Sequence, residues 1–290
     1  MIVIDDVWET QSWGIIKLAL VENNKGSRVV ITTRTHEVAR EASEVYELQP
    51  LSKENSRKLF FARIFGGESK ISDPQLDADV LDKILRKCDG IPLALITMAS
   101  LLVGKPREEW SEVHRSIGFG RGKENQQVEN TMKILSFSYY DLPPHLKTCL
   151  LHLSVFPEDY VIEKGPLIWM WVAEGFVHEK QGISSLFEIG EGYFNELVNR
   201  SMIQLVEAVN EEAMECACQV HDMVLDLIHS ISLEENFVAI LDKNKEFEAS
   251  SSWQGRSPRI LALQNNDRIV EARTDMQKLR SFLSFGCDIG

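Results

Sequence analysis

The sequence predicts a mostly α-helical protein that begins with a small parallel α/β sheet and continues with a helical domain and a winged-helix domain. Three observations support this fold class. The opening "MIVI" is an apolar run without polar alternation, which is typical of a strand buried on both faces of a parallel sheet. Apolar residues then recur at helical spacing through the middle of the chain. After about residue 132, short helical segments lead into a two-stranded ribbon, which indicates a winged helix.

The α/β part is expected to cover residues 1–51. Trp13, Ile16 and Leu20 lie at helical spacing after the first strand, and "RVVITTR" predicts a second buried strand. These segments make one βαβ unit. A further short strand is predicted at residues 45–48, where we expect the sheet to end.

Charged side chains follow both strands of this unit. Asp5 and Asp6 come directly after the first strand, and Arg34 follows the second. Ligands of open α/β sheets bind outside the carboxyl ends of the strands, so these residues suit a polyphosphate bound with magnesium. Solvated aspartates and an ordinary salt bridge of Arg34 are the alternative interpretations.

A helical domain is predicted for residues 52–124. Ser52 is a suitable N-cap for its first helix. The next helix is indicated by apolar residues spaced four apart, Leu76, Val80 and Ile84. The segment "CDGIPLALITMASLL" breaks at Gly90 and restarts as a helix at Pro92, which is favoured in a first helical turn. The polar, glycine-rich "GFGRGKENQQ" marks the next boundary.

The winged-helix domain is predicted for residues 125–235. Its helices lead to the alternating segments "IQLVEA" and "ECACQV" and then to the helix "MVLDLIHSI". Asp222 is a good N-cap for this last helix, so His221 lies beside the positive end of the helix dipole, where a donor can hold a phosphate. A simple turn residue is the alternative interpretation of His221. Trp169 and Trp171 are interpreted as core or interdomain packing.

Residues 236–290 contain three apolar runs that predict strands, "NFVAIL", "RILALQ" and "LRSFLSF". The last two lie close to the end of the chain, and we expect them to remain unburied. This segment is therefore interpreted as a linker to further structure.

The composition limits the partners and the compartment. The chain has 31 basic and 44 acidic residues, a formal charge of −13, which disfavours nucleic acid and anionic membranes. The five cysteines show no framework spacing, which favours a reducing compartment, and Cys216 and Cys218 lack the further ligands of a structural metal site. No signal peptide or membrane span is visible, so a cytoplasmic protein is expected.

These segments, in this order, resemble the nucleotide-binding (NB-ARC) switch of plant disease-resistance proteins that carry leucine-rich repeats. "MIVIDDVW" is similar to their Walker B segment, "GSRVVITTR" to the sensor strand and "GIPLAL" to the motif that abuts the adenine. "CLLHLSVFPEDYVIEKGPLIWMWVAEGF" is similar to the long winged-helix motif, and "QVHD" to the methionine-histidine-aspartate motif with Val220 in the methionine position. Trp8 after the aspartates resembles the coiled-coil class. Five ordered motifs make a specific match.

The resemblance implies a remnant of a P-loop-type sheet with a magnesium site. Asp5 would hold Mg²⁺, Asp6 would position or deprotonate the attacking water as the catalytic residue, and Arg34 would pair with the terminal phosphate. The family's Walker A loop lies upstream of Walker B. The internal candidate "GFGRGKEN" fails because Ile117 stands where a glycine is required and Glu124 follows Lys123. We therefore expect a chain truncated before Walker B and before the repeats, which should not hydrolyse ATP appreciably by itself because it lacks the phosphate-binding loop.

The same resemblance implies ADP or ATP as the ligand, with Mg²⁺, in the full-length parent. Pro92 and Leu93 would bind the adenine, and His221 would hold a phosphate of ADP. The residues from 236 onward would lead into the leucine-rich repeats.

The leading hypothesis is an ADP/ATP-dependent switch of a plant immune receptor, closed with ADP and oligomeric with ATP. Implied partners are its own coiled-coil and leucine-rich-repeat domains and a pathogen effector or guarded host protein, in the cytoplasm or at the plasma membrane on activation. A winged-helix nucleic-acid binder is the first rival, but its candidate helix carries three glutamates against one arginine, Glu188, Glu191, Glu196 and Arg200. A free-standing ATPase and an inactive fragment acting only through protein contacts are the others.

Overall fold

The computed structural model describes residues 1–20, 26–66, 78–117, 126–179, 185–207, 216–242, 258–264 and 277–285. The chain divides into two compact units, Met1–Gln49 and Pro50–Gly290. The predicted fold class is confirmed, because a small parallel α/β layer is followed by helices and a winged helix. The proposed boundary segment "GFGRGKENQQ" lies largely outside the described residues.

The first unit is the predicted βαβ unit. Strands β1 (Ile2–Ile4) and β2 (Val29–Ile31) pair in parallel, with Ile2 opposite Val29. Helix α1 (Thr10–Ala19) connects them, and the short helix α2 (His36–Ala39) follows β2. The buried side chains of this unit are those of Val7, Trp13 and Val38. This small core holds one face of the sheet against the helices.

Two details of the predicted sheet are wrong. Ile2 and Val3 are not buried on both faces, since 47% and 58% of their surfaces are exposed. Residues 45–48 form no strand, and Val45, Tyr46 and Leu48 are between 61% and 86% exposed. An extended apolar segment becomes a strand only when another backbone pairs with its N–H and C=O groups, and no described strand lies beside this one.

A helical bundle opens the second unit. Its helices are α3 (Lys53–Phe65), α4 (Ala78–Cys88), α5 (Pro92–Leu102), α6 (Arg107–Ser116) and α7 (Gln126–Asp141). The predicted N-cap is confirmed, because Ser52 Oγ accepts a hydrogen bond from the Asn55 N–H at 3.2 Å. Phe60, Ile84, Leu95 and Ile134 are fully buried in the shared core. Of the three residues that predicted α4, Leu76 lies outside the described residues.

The turn between α4 and α5 has a left-handed backbone. Asp89 has φ 49° and Gly90 has φ 75°, as the predicted break requires. The Gly90 carbonyl accepts a hydrogen bond from the Leu51 N–H at 2.9 Å. The two backbones therefore lie close together just before α5 begins at Pro92.

The winged-helix part follows in the predicted order. Its helices are α8 (Pro144–His152), α9 (Lys164–Ala173), α10 (Leu186–Asn199) and α11 (Asp222–Glu234). Strands β4 (Gln204–Glu207) and β5 (Cys216–Gln219) pair antiparallel as the predicted ribbon. A third strand, β3 (Ile162–Glu163), adds to the other side of β5, and its two residues are too few to show alternation in the sequence.

The two tryptophans of α9 differ in burial. Trp171 is fully buried in the winged-helix core, as predicted. Trp169 is 58% exposed and its ring lies 5.3 Å from that of Phe187, so it is not a core residue, and interdomain packing stays a prediction for it. Residues two apart on a helix point in different directions, and an apolar run does not reveal which of them faces the core.

The chain ends in a parallel three-stranded sheet, β6 (Val238–Asp242), β7 (Ile260–Gln264) and β8 (Ser281–Phe285). Ile260 and Ala262 are fully buried in the winged-helix core. Gln264 Nε2 donates to the Val155 carbonyl at 2.8 Å, and the Phe285 ring lies 5.2 Å from that of Phe156. The prediction that the last two strands stay unburied is therefore wrong, because both pack on the preceding domain.

The described cysteines are free thiols. Cys216 is exposed, and burial raises the pKa of Cys88, Cys149 and Cys218 to about 12. Within the described ranges, no group of three or more His, Cys, Asp or Glu side chains is arranged to hold a metal ion.

None of the helices in the described part of the chain combines the length and the apolar composition that a bilayer crossing requires. The cytoplasmic location stays a prediction.

Arg63, in the last turn of α3, connects the bundle to the end of α10. Its Nε donates to Ser100 Oγ at 2.9 Å, and its Nη2 donates to the Asn199 carbonyl at 2.5 Å and to Ser201 Oγ at 3.1 Å. The Ser100 and Ser201 hydroxyls lie 2.9 Å apart. The last carbonyls of a helix have no partner within it, so Arg63 satisfies groups that α10 leaves open.

Arg63→Ala is therefore expected to lower the free energy of unfolding by about 1–2 kcal/mol, because part-buried hydrogen bonds to a charged donor are lost. Urea denaturation followed by circular dichroism measures this change. Lys58→Ala is the control, since the ion pair of Lys58 with Glu54 joins two exposed side chains one turn apart on the same helix and should contribute about 0.5 kcal/mol or less. Equal effects of the two substitutions contradict the role given to Arg63.

Candidate functional site

The polar residues that follow β1 and β2 lie together in the first unit. Thr32 Oγ1 donates to Asp5 Oδ1 and accepts from the Asp6 N–H at 2.8 Å. The Val7 N–H donates to the Thr32 carbonyl at 2.9 Å. The structure thus brings the two aspartates to the end of β2, as expected for the carboxyl edge of a parallel pair.

Asp6 stands at the centre of this cluster. It has φ 53°, a left-handed conformation that aspartate tolerates better than most residues. Arg34 Nε lies 3.9 Å from Asp6 Oδ1, and Trp8 Nε1 donates to Asp6 Oδ2 at 2.8 Å. The Arg34 guanidinium carbon lies 4.9 Å from the centre of the Trp8 ring. Asp6, Trp8 and Arg34 therefore form one connected group, which we call the strand-end cluster.

Trp8 is the member of this cluster that sequence reasoning missed as a functional residue. In the sequence, this tryptophan indicates only a resemblance to the coiled-coil class. Position two after an aspartate predicts no particular direction for an indole, so the sequence carried no signal for its contacts.

The strand-end cluster and the neighbouring Asp5 together have the chemistry that a phosphate and magnesium site needs. Mg²⁺ is usually held by one or two carboxylates together with substrate phosphates and water, so Asp5 does not need a dense ligand group. The Arg34 side chain is 56% exposed and the Asp6 side chain 33% exposed. Both charged groups are therefore accessible to an anion at the edge of the sheet.

The remaining predicted residues belong to the second unit. Pro92 is the exposed first residue of α5, and its ring offers an apolar surface without an N–H group. Leu93 is only 7% exposed and packs in the same core as the winged helix. Pro92 is therefore more accessible than Leu93, and adenine binding by both residues stays a prediction.

The predicted N-cap of α11 requires a correction. His221, not Asp222, is the N-cap, and its Nδ1 accepts a hydrogen bond from the Met223 N–H at 3.2 Å. His221 is extended, with φ −66° and ψ 139°, and Asp222 is the first residue of the helix. The imidazole thus accepts from the Met223 N–H, in the capping role that the sequence predicts for the aspartate. Asp222 instead supplies negative charge to the first turn, which the helix dipole favours.

This geometry assigns the tautomer of His221. A ring nitrogen that accepts a hydrogen bond carries no proton, so neutral His221 carries its proton on Nε2. An Nε2–H at the start of α11 is a donor suited to a phosphate oxygen.

Two family models match the chain. Residues 1–70 match the NB-ARC domain, and residues 155–228 match the disease resistance protein winged helix domain. The strand-end cluster lies within the first match and His221 within the second.

The chain is also similar to curated plant proteins over almost its whole length. It is 33% identical over 297 residues to "Disease resistance protein Pik-2" of Oryza sativa subsp. japonica, covering 99% of this chain and 28% of that protein. It is 31% identical over 276 residues to "Putative late blight resistance protein homolog R1B-16" of Solanum demissum, covering 93% and 21%. For "Disease resistance protein RGA5" of rice the identity is 33% over 263 residues, covering 88% and 23%. The chain thus spans about a quarter of the length of these relatives.

Proposed function

Because the chain belongs to the family of plant NB-ARC disease-resistance proteins, we propose that it works within an immune receptor as a switch between ADP-bound and ATP-bound states. The observation that carries this proposal is the strand-end cluster, which together with Asp5 places two carboxylates and an arginine at the carboxyl edge of a parallel sheet. That is where ligands of such sheets bind.

In this proposal the first unit handles the terminal phosphate and the metal. Asp5 holds Mg²⁺ directly or through water, since its Oδ1 already accepts from Thr32 and its other oxygen has lone pairs for the ion. Asp6 orients the attacking water. Arg34 pairs with the terminal phosphate, for which a guanidinium has the matching charge and fork geometry.

The second unit, in the same proposal, holds the resting nucleotide. Pro92 packs on the adenine, and the His221 Nε2–H donates to a phosphate of ADP at the start of α11. The switch then requires that ADP and ATP bind the closed and open states with different affinities. Exchange of ADP for ATP lets the domains separate and the protein oligomerise.

The partners follow from the same proposal. The relatives are named as disease resistance proteins, so a pathogen effector or a guarded host protein is the expected upstream signal. The coiled-coil and leucine-rich-repeat domains of the parent are the expected intramolecular partners.

The test compares nucleotides extracted from variants of the longest product of the gene. His221→Ala removes the cap and the phosphate donor, which costs about 1–3 kcal/mol and should raise the ATP-to-ADP ratio about tenfold. Asp222→Val removes a first-turn negative charge and leaves the His221 cap in place, so it should act in the same direction by about two- to fivefold. Ion-exchange chromatography of the released nucleotides measures both ratios.

Two controls separate capping from phosphate binding. His221→Asn keeps a good cap acceptor but loses the ring donor, so it should preserve stability and still lose ADP. Asp226→Ala, exposed one turn further along α11, should change little. If His221→Ala and His221→Asn remain as rich in ADP as the wild type, the phosphate role of His221 is refuted.

A further inference from the structure

Trp8 joins the two charged groups of the strand-end cluster. Its indole N–H donates to Asp6 at 2.8 Å, while its ring face lies 4.9 Å from the guanidinium carbon of Arg34. Trp8 is 51% exposed, so these contacts rather than burial hold the side chain. An exposed tryptophan leaves a large apolar surface in water, so its contacts with Asp6 and Arg34 suggest a functional reason for this residue.

The backbone around Trp8 is tied to the segment after β2. Thr35 Oγ1 donates to the Trp8 carbonyl at 3.1 Å, and Thr33 Oγ1 donates to the Val7 carbonyl at 2.6 Å. These two bonds join the loop after β1 to the residues that flank Arg34. The indole and the guanidinium are thereby kept within reach of each other.

We propose that Trp8 is a positioning residue that holds Arg34 beside Asp6 when no terminal phosphate is present. Trp8 thereby sets the preference between ADP and ATP. This inference rests on the proposed function. With ADP bound, Arg34 stays on the indole and beside the Asp6 carboxylate. With ATP bound, Arg34 leaves for the terminal phosphate and the Asp6 Oδ1 that it faced becomes available to water.

The exposure of the groups sets the size of this effect. The Arg34 side chain is 56% exposed and its Nε lies 3.9 Å from Asp6 Oδ1, so the ion pair between Arg34 and Asp6 is weak. A cation over an exposed ring also contributes little. A doubly charged phosphate therefore competes successfully, and Trp8 biases the nucleotide preference by a few fold without blocking ATP.

The first arm of the test measures dissociation constants for Mg·ADP and a non-hydrolysable ATP analogue by calorimetry, on the longest gene product. Trp8→Ala removes the ring contact of Arg34 and should shift the preference toward the ATP analogue by about two- to fivefold. Trp8→Phe keeps an aromatic face for Arg34 and should retain most of the wild-type preference. Trp169→Ala is the matched control, because Trp169 is equally exposed at 58% and belongs to the second unit.

The second arm needs no nucleotide. The emission of Trp8, obtained as the difference between wild type and Trp8→Phe, should change in intensity and in quenching by iodide when Arg34 is replaced by Gln. Absence of this change refutes the contact between the Trp8 ring and Arg34.

The outcomes separate this inference from the proposed function. If Trp8→Ala weakens both nucleotides equally, Trp8 is merely structural and the sensing role is refuted. If the wild type binds neither nucleotide while Trp8 emission still responds to Arg34→Gln, the proposed function fails and the sensing role fails with it, whereas the contact between Trp8 and Arg34 stands.

Discussion

Gly90→Ala is expected to lower the free energy of unfolding by about 3–4 kcal/mol, because two separate costs combine at this residue. Gly90 has φ 75°, a conformation that an L side chain rarely adopts. An added Cβ would also lie 2.5 Å from the Leu51 carbonyl oxygen and 2.9 Å from the Leu51 nitrogen. Both neighbours are backbone atoms, so no side-chain rotation relieves the clash.

Gly104→Ala separates the two costs. Gly104 has the same φ of 75°, but apart from its chain neighbours no atom of the described residues lies within 4 Å of its added Cβ. This variant should lose only the conformational part, about 1–2 kcal/mol. Urea denaturation of both variants measures the difference, and equal losses contradict the close packing of Gly90 on Leu51.

A fall in stability with acid is expected from His152, which is only 1% exposed at the end of α8. Neither ring nitrogen has a hydrogen-bond partner among the residues that the structure describes, and the ring lies 5.6 Å from that of Phe176. Burial, with a smaller contribution from the positive charge of Arg259, lowers the pKa of His152 from 6.5 to about 4. The folded protein therefore keeps this imidazole neutral where the unfolded chain protonates it.

The sign and size follow from this difference in pKa. The unfolded state binds the proton first as pH falls below 6.5, so the stability contributed by neutral His152 is lost between about pH 6.5 and pH 4. The loss should reach about 2 kcal/mol at pH 5 and about 3 kcal/mol at pH 4.

Carboxylates titrate in the same range, so the measurement is a difference between variants. Chemical denaturation of wild type and His152→Leu at pH 7, 6, 5 and 4 should give two curves that diverge as the pH falls, with the variant the more stable in acid. Parallel curves contradict the buried, neutral state of His152.

The elements that the sequence predicted well are those with a local cause. Ser52 and Pro92 start helices through their own chemistry, and the apolar run before Asp5 pairs with the run before Arg34. The errors concern partners distant in sequence. Residues 45–48 have the composition of a strand but no paired backbone among the described residues, while β8 packs through Phe285 on Phe156, more than a hundred residues earlier in the chain.

The candidate site shows the same division. The convergence of Asp5, Asp6 and Arg34 follows from the rule that parallel strands end at one edge, so it was predictable. The direction of the Trp8 indole depends on where Arg34 lies in space. The choice of His221 over Asp222 as N-cap depends on backbone angles that both residues can adopt. Such alternatives are decided by tertiary structure.

The central claim is that the resting protein holds ADP. The most direct measurement is the identity and amount of nucleotide that co-purifies with the longest wild-type gene product from unchallenged plant tissue, released by denaturation and quantified by ion-exchange chromatography. The proposed switch predicts ADP in close to equimolar amount with the protein. A protein that carries no nucleotide, or carries ATP instead, would contradict it.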